Sequence, residues 1–405
     1  MFAPLSIVNF RYLLASNFLW WQARWMESIV VGWLVLELTD SAWEVALVAF
    51  YRSIPFLLVG VFAGPIIDRY GRRNCILVAQ GINFSISATV ALLLWLDALA
   101  YWHIVTAALL MGTVWSIDWP ARRSLIPDLV DKELTVDSMI LEGMGQNVSR
   151  IVGPFASGAL LATFGVTGSY IALAVTAGLA WLALLGLVNK EIPRTHMPDG
   201  RSPWHQIREG LRYTSQNQAL LGVTIMTLII NMLVLTYIDL LPVFARDVLG
   251  QGPLGLGLLS AGGGLGAFIG LLIIGRLRGR ISNGWILLGG TFAQCLLLIL
   301  FANSPFYLLS LSFVILSAMG RASFGVMQSA IVLLASSDEM RSRVMGVMVL
   351  AIGLGPIGRL IIGALAENFG APFAVTTLCA VAAVAIALLG ILLPEFREQG
   401  EPVKN

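Results

Sequence analysis

From residue 12 to residue 393 the chain is a succession of apolar runs, each long enough to cross a bilayer and each ended by a short polar or charged turn. Crossing about 30 Å of hydrocarbon takes roughly 20 residues of α-helix, and only a segment that satisfies its own backbone hydrogen bonds can stay there. Such a chain is constrained to fold as an all-α membrane protein. With 58% hydrophobic and 12% charged residues and a mean hydropathy of +0.84, it carries more apolar surface than a water-soluble core could enclose. The runs predict twelve transmembrane helices, near 12–38, 44–67, 74–96, 102–121, 138–163, 168–188, 219–243, 255–275, 284–302, 306–333, 343–366 and 372–393.

Charge placement orients these spans. With the N-terminus inside, nineteen of the 25 Lys and Arg residues fall on inner loops and tails, Arg246 alone falls outside, and Arg24, Arg52, Arg150, Arg321 and Arg359 lie within spans. Positive residues collect on the cytoplasmic side, so both termini are expected there. The net charge of +2 is no guide to an acidic partner. The first apolar run follows Asn9-Phe10-Arg11, is too long for a signal-peptide core and has no small-residue cleavage site, so the first helix is expected to remain in the mature protein. Cys75, Cys295 and Cys379 are scattered through apolar segments, which implies no disulfide framework.

An internal repeat divides the chain. Gly158-Ala159-Leu160-Leu161-Ala162-Thr163-Phe164-Gly165 recurs 205 residues further on as Gly363-Ala364-Leu365-Ala366-Glu367-Asn368-Phe369-Gly370. A weaker echo at a similar offset sets Arg276, Arg278, Gly279 and Arg280 against Arg69, Gly71, Arg72 and Arg73. Two six-helix halves are therefore expected, residues 1–188 and 219–405, joined by a polar cytoplasmic linker over 189–218. Within the linker Trp204 to Tyr213 suit either a surface helix or a structureless connector.

Between the second and third runs stands Gly64-Pro65-Ile66-Ile67-Asp68-Arg69-Tyr70-Gly71-Arg72-Arg73, read as a tight charged loop. It resembles the helix 2–3 loop of the major facilitator superfamily, with Gly64, Asp68, Arg69, Gly71, Arg72 and Arg73 filling that pattern without a gap. Asn9-Phe10-Arg11, Arg52-Ser53-Ile54-Pro55, Asp118-Trp119-Pro120-Ala121-Arg122, Leu125-Ile126-Pro127-Asp128 and Arg341-Ser342-Arg343-Val344-Met345-Gly346 narrow the resemblance to the bacterial group of enterobactin exporters and macrolide efflux proteins. That resemblance implies a multi-pass transporter of the bacterial inner membrane, exporting a small organic molecule by proton antiport with alternating access. It assigns a cytoplasmic gate to the loop residues together with Asp118 and Arg122. Ser149 to Gly158 is similar to the helix 5 antiporter motif, with Gly153, Pro154 and Gly158 in place and Ser149 and Ser157 replacing two glycines. Helix 4 departs from many proton-coupled relatives, since Met111-Gly112-Thr113-Val114-Trp115-Ser116 lacks an arginine.

Charges inside the spans are the functional candidates, because each is costly in hydrocarbon unless paired or wetted. Arg24 and Glu27 share one face of helix 1, and Glu142, Gln146 and Arg150 one face of helix 5. Glu27 is the one acid near mid-span, which makes it the expected proton-coupling group, with Asp239 second. Arg52, Arg321 and Arg359 have no acid on their own helices and either pair across helices or make a cavity electropositive. Arg24, Arg52, Trp115, Arg150, Asn231, Arg321 and Arg359 are the expected cavity residues, and the surplus of arginine favours a polar or anionic cargo.

Gly262, Gly266 and Gly270 fall every four residues and read as a helix contact stripe, because no Lys-Ser or Lys-Thr follows to make a phosphate loop. His103, His196 and His205 are too dispersed for a metal site. An enzyme is not expected, nor a cofactor, a metal or a nucleic-acid partner; the partners expected are small-molecule substrate, protons and lipid, and the chain is expected to be a monomer. The competing readings are a lipid or lysophospholipid transporter of the same fold and a non-transporting membrane sensor.

Overall fold

The computed structural model describes residues 2–188, 203–277 and 280–398. Linker residues 189–202, Arg278 and Gly279 of the echo, and the tail beyond Glu398 lie outside the described residues. Sixteen α-helical segments follow in chain order: α1 (Val8–Thr39), α2 (Ala42–Val59), α3 (Ala63–Tyr70), α4 (Arg72–Trp95), α5 (Tyr101–Leu129), α6 (Thr135–Leu185), α7 (Pro203–Gln216), α8 (Gln218–Ile229), α9 (Leu241–Val243), α10 (Pro253–Leu277), α11 (Asn283–Ala302), α12 (Tyr307–Ala335), α13 (Asp338–Gly353), α14 (Gly355–Phe369), α15 (Ala371–Leu392) and α16 (Pro394–Glu398).

Among the described residues, ten helical runs are long and apolar enough to cross a membrane. One of them, Lys132–Leu185, holds two spans that meet at Gly165, whose φ of 65° and ψ of −169° interrupt the helix. α1, at 32 residues, is long enough to cross but is diluted by Arg24, Glu27 and its polar stripe. Leu58, Val78, Leu92, Leu182, Leu308 and Ile391 stand outward and exposed, as suits side chains facing lipid rather than water. The chain is a multi-pass helical membrane protein.

Local chemistry sets the helix ends. Ser41 Oγ accepts from the Glu44 amide at 3.2 Å, Asn217 Oδ1 from Ala219 and Leu220 at 3.0 and 3.1 Å, and Ser282 Oγ from Trp285 at 3.2 Å. The paired glycines of the repeat do the same job in both halves: Gly165 has φ 65° and Gly370 φ 87°, a region that side chains with a Cβ rarely enter.

Three expectations need correction. The Gly64–Arg73 stretch is not a loop, because α3 runs to Tyr70 and α4 starts at Arg72, leaving Gly71, with φ 83°, as the whole turn. α5 continues eight residues past its expected end, through Pro120 and Pro127, so Arg122 to Asp128 are helical; proline within a membrane helix is tolerated where neighbours satisfy the freed carbonyl. Helix 7 is not regular, for beyond α8 it passes through a π-helix (Ile230–Val234), a 3-10 helix (Leu235–Leu240), α9 and a second π-helix (Phe244–Val248).

By packing, the described residues form two compact units, Met1–His196 with Gly250–Ala261, and Met197–Leu249 with Gly262–Asn405. In the first, α1 packs along α6, and α4 lies against α5 and α6 while α2 lies against α5. Phe10, Leu13, Ile76, Leu125, Ile126 and Leu184 make a buried cluster near the α3–α4 turn. In the second, α11 packs on α12 and α15, and α7 lies against α13 and α8, so the helical option for the linker's end is the one adopted. The Gly262, Gly266 and Gly270 stripe is a helix contact: a Cβ on Gly262 would strike Leu311, one on Gly266 the Ile315 carbonyl, and one on Gly270 the Met319 carbonyl. Tyr237, Phe244 and Phe301 cluster within the same unit, with Phe244 and Phe301 ring centroids 4.6 Å apart.

Candidate functional site

In an apolar helical unit, buried charges can persist only where they find each other. Glu27 of α1 is 6% exposed and takes two guanidinium groups on one oxygen: Arg52 Nη1 donates to Oε2 at 2.7 Å and Arg24 Nη1 at 3.2 Å. Arg24 comes from one turn earlier on α1. Arg52 reaches in from α2, which lies so close to α5 that a Cβ on Gly112 would strike the Arg52 carbonyl. The small residue at Gly112 thus sets the depth at which Arg52 meets Glu27.

From this triad the polar groups run through aromatic rings to a second pair. The Arg24 guanidinium sits 4.4 Å over the Trp115 ring, Trp115 stacks on Trp20 with centroids 5.0 Å apart and planes at 10°, and Arg122 lies 4.7 Å from the Trp20 ring. Arg122 is bound on every side: its Nε donates to Asp118 Oδ1 at 2.9 Å, Nη1 to Ser16 Oγ at 3.1 Å and Asn17 Oδ1 at 2.9 Å, and Nη2 to Gln80 Oε1 at 2.9 Å. Gln80 Nε2 in turn donates to the Ala177 carbonyl of α6 at 3.0 Å. Asp118 is 0% and Arg122 2% exposed, and with these partners the pair ties α1, α4, α5 and α6 together.

A pocket with about 470 Å³ of empty space opens on these groups, lined by Trp20, Arg24, Glu27, Gln80, Asn83, Ser87, Met111 and Trp115, with Leu173 and Ala177 from α6. Gln80, Asn83 and Ser87 escape sequence reasoning because lone neutral polar residues in an apolar helix are common; their spacing along one face of α4 was the available signal.

The other expected residues are spread more widely. Arg150 lies 5.1 Å from the Trp25 ring, and Glu142 accepts from Trp21 Nε1 at 3.1 Å. At the α3–α4 turn, Gly64, Asp68 and Arg69 are exposed, Arg73 Nε donates to the Leu187 carbonyl at 2.9 Å, and Arg72 pairs with Asp128 of α5. Asp128 was no candidate, yet it is the acid that holds Arg72. On α6, a Cβ on Gly153 would meet Trp25, and one on Gly158 would meet Pro253 and Gly257 of the same unit, at 2.7 and 2.8 Å. The Pro154 carbonyl lies against Gly257. These are close-packing positions.

Within the second unit, Arg359 Nε pairs with Asp239 Oδ2 at 3.0 Å, whereas Arg321 Nη2 donates to the Gly263 carbonyl at 3.2 Å. Asn231 Nδ2 caps the Thr227 carbonyl at 2.9 Å, and Thr227 Oγ1 accepts from Gln328 at 2.7 Å. A Cβ on Gly358 would strike the Met232 carbonyl, so α14 packs directly on the π turn beside Asn231.

Known proteins with similar sequences are transporters. A family model described as transmembrane secretion effector matches residues 1–405. The staphyloferrin A transporter of Staphylococcus aureus is 25% identical over 89% of this chain and 90% of its own length. The multidrug efflux pump Tap of Mycobacterium tuberculosis is 28% identical over 98% of this chain and 94% of its own, and the enterobactin exporter EntS of Salmonella typhi 24% identical over 95% and 91%. Among solved structures, a bacterial homologue of the human lysosomal transporter Spinster superposes with a TM-score of 0.71 at 15% identity, covering 98% of this chain and 97% of that one. A POT family transporter does so at 0.76 and 12% identity, over 95% and 96%; at such identities the likeness is one of fold. The chain belongs to the transmembrane secretion effector family of major facilitator transporters.

Proposed function

We propose that this protein is a secondary transporter of the bacterial inner membrane that exports a small organic molecule, siderophore-like or antibiotic-like, by alternating access coupled to protons. The observation that carries the reading is the Glu27–Arg24–Arg52 cluster: three charges held inside a lipid-facing helical unit, beside a pocket lined by Trp20, Trp115 and neutral polar side chains. Both termini are cytoplasmic in this reading, the halves 1–188 and 219–405 are joined by a linker over 189–218, and a monomer suffices. Proton antiport is the mode that the family resemblance implies, with Glu27 and Asp239 as the candidate carriers.

Names of the relatives favour two cargo classes, siderophores and mixed drugs. The arginines around Glu27 favour the first, since guanidinium groups recognise carboxylate and catecholate oxygens in bidentate geometry. Purified protein in sealed proteoliposomes tests the reading. Uphill movement of a tricarboxylate or catecholate siderophore under an imposed pH gradient is the expected result, and movement of lipophilic cations alone assigns the protein to the multidrug class. Failure to move either class, with the protein folded and correctly inserted, rejects both cargo classes and leaves the lipid-transporter and sensor readings.

A further inference from the structure

α7, the last part of the linker, has two faces of opposite character. One is docked: α7 packs on α13 and α8, where a Cβ on Gly210 would strike the Arg343 carbonyl at 2.8 Å, Thr214 is 2% exposed, and the Tyr213 hydroxyl accepts from the Ser337 amide at 3.3 Å. Glu209, the one acid in α7, is held on that side by Arg343 at 2.8 Å. Since a helix turns by about 100° per residue, Arg208 and Arg212 fall on the face opposite Gly210. Both are exposed, as are His205, Leu211, Ser215 and Gln216 around them. The outer face of α7 is therefore a pair of guanidiniums one turn apart, with no acid beside them and with Leu211 as its apolar edge, 49% exposed.

The position of this face along the chain says what it meets. Asn217 alone separates α7 from α8, capping α8 through its side chain, and α8 opens the membrane-crossing run Gln218–Val248. Arg212 thus stands about one helical turn, and Arg208 about two, before the end of α7 that adjoins the membrane.

We propose that the outer face of α7 is a docking surface for anionic phospholipid headgroups of the inner leaflet, with Arg208 and Arg212 as the phosphate-binding pair and Leu211 set toward the acyl boundary. The guanidinium fork matches phosphate oxygens in bidentate geometry, and basic residues beside an anionic leaflet are attracted to it individually and in sum. An exposed apolar side chain flanking the arginines suits a lipid surface better than free phosphate, which offers it nothing to bury against. Because Gly210 and Glu209 fasten α7 to α13, a headgroup bound on the outer face braces the adjoining ends of α8 and α13. The inference rests on the cytoplasmic placement of residues 189–218 in the reading above and adds a specific lipid contact to it.

The test titrates short-chain dioctanoyl phosphatidylglycerol, dioctanoyl phosphatidylcholine and glycerol 1-phosphate separately into the purified full chain in an uncharged detergent, reading the unfolding temperature at each concentration. The wild type should be stabilised by phosphatidylglycerol at about a tenfold lower concentration than by phosphatidylcholine, with the advantage shrinking in about 0.5 M salt and glycerol phosphate having no effect. Arg208→Gln combined with Arg212→Gln should remove that advantage, and Arg208→Lys with Arg212→Lys should keep most of it. Arg276→Gln with Arg280→Gln, a second exposed arginine pair, should leave it in place. The unfolding temperature without lipid checks that each variant is folded. Equal stabilisation by the two lipids, a preference that survives loss of Arg208 and Arg212, or an equal loss in the Arg276 and Arg280 variant overturns the proposal. Stabilisation by glycerol phosphate at the lipid's own concentration makes this a free-phosphate site and overturns it as well. Labelling of Ser215→Cys by a membrane-impermeant maleimide in intact cells would reject the cytoplasmic placement itself. Cargo movement in proteoliposomes is read independently of all these outcomes, so lipid docking and transport stand or fall separately.

Discussion

Trp20 and Trp115 stack at 5.0 Å with planes only 10° apart, and the two rings join an Arg24–Glu27 pair to an Arg122–Asp118 pair. The stack comes from α1 and α5, so it also fixes the register of those helices at the depth of the pocket. Offset-stacked aromatic pairs contribute about 0.5–1.5 kcal/mol beyond their buried area. A double-mutant cycle between Trp20→Leu and Trp115→Leu, read by SDS unfolding, should give a coupling energy of about 1 kcal/mol. Strict additivity would show that the rings merely lie side by side.

Breaking the interior tie should be severe. Arg122 and Asp118 side chains are 3% and 0% exposed, and removing one partner of a buried pair typically costs about 3–5 kcal/mol because the other charge is left uncompensated. Arg122→Ala would in addition take a partner from Ser16, Asn17 and Gln80. Asp118→Ala and Arg122→Ala should therefore each lower thermal stability far more than Gln80→Leu, for which about 1–3 kcal/mol is expected. Equal effects from all three would show that the salt bridge adds nothing to the surrounding hydrogen bonds.

Much of the frame was legible in the sequence, and the reason is periodicity. Apolar run length gave the spans, the 205-residue repeat set Gly165 and Gly370 at equivalent positions, and four-residue glycine spacing marked a contact face of α10. What stayed hidden depends on groups from different helices. Gln80 became a partner of Arg122 only when α4 was laid against α5, and Asp128 a partner of Arg72 only once α5 was seen to continue through Pro127. The π and 3-10 turns after Ile229 had no signal in composition, because their backbone is supported by close packing such as that of Gly358 on Met232.

The latch at the α3–α4 turn is best tested through Asp128. Arg72 is ion-paired with that residue, while Asp68, the acid of the family motif, is exposed. Cys75 lies one turn beyond Arg72, is 8% exposed, and its Sγ contacts the Ile66 carbonyl at 3.9 Å, which makes it a native reporter. With Cys295 and Cys379 replaced by alanine, maleimide labelling of Cys75 should quicken about two- to fivefold in Asp128→Asn, the range expected for a partly exposed pair worth up to about 1 kcal/mol. Asp68→Asn should label at the parent rate. Acceleration by Asp68→Asn alone would return the latch to the motif residue.

Close helix approach sets where Arg52 stands, so a single methyl group should reach the site. A Cβ at Gly112 would strike the Arg52 carbonyl and touch Pro55 at 3.2 Å, whereas one at Gly275 of α10 would meet open space. Overpacking a tight crossing costs about 1–3 kcal/mol, but replacing an exposed helical glycine with alanine is favourable by roughly 1 kcal/mol. Gly112→Ala should thus destabilise the protein, and Gly275→Ala should not. Unchanged stability in Gly112→Ala would show that the α2–α5 crossing makes room for a methyl group without cost.

The second acid offers the sharpest test of how protons return. Asp239 sits in the 3-10 turn after a π-helix, where the backbone is held less regularly than in an α-helix, and its carboxylate pairs with Arg359 across to α14. Side-chain exposures of 16% and 25% leave both partners within reach of water, as a group that exchanges protons requires. If Asp239 carries a returning proton, its substitution should uncouple export without unfolding the protein. Asp239→Asn should remain folded while losing uphill export in a pH gradient. Counterflow exchange of cargo, which needs no net proton movement, should survive in Asp239→Asn. Loss of counterflow there would make Asp239 a structural partner of Arg359 rather than a coupling group.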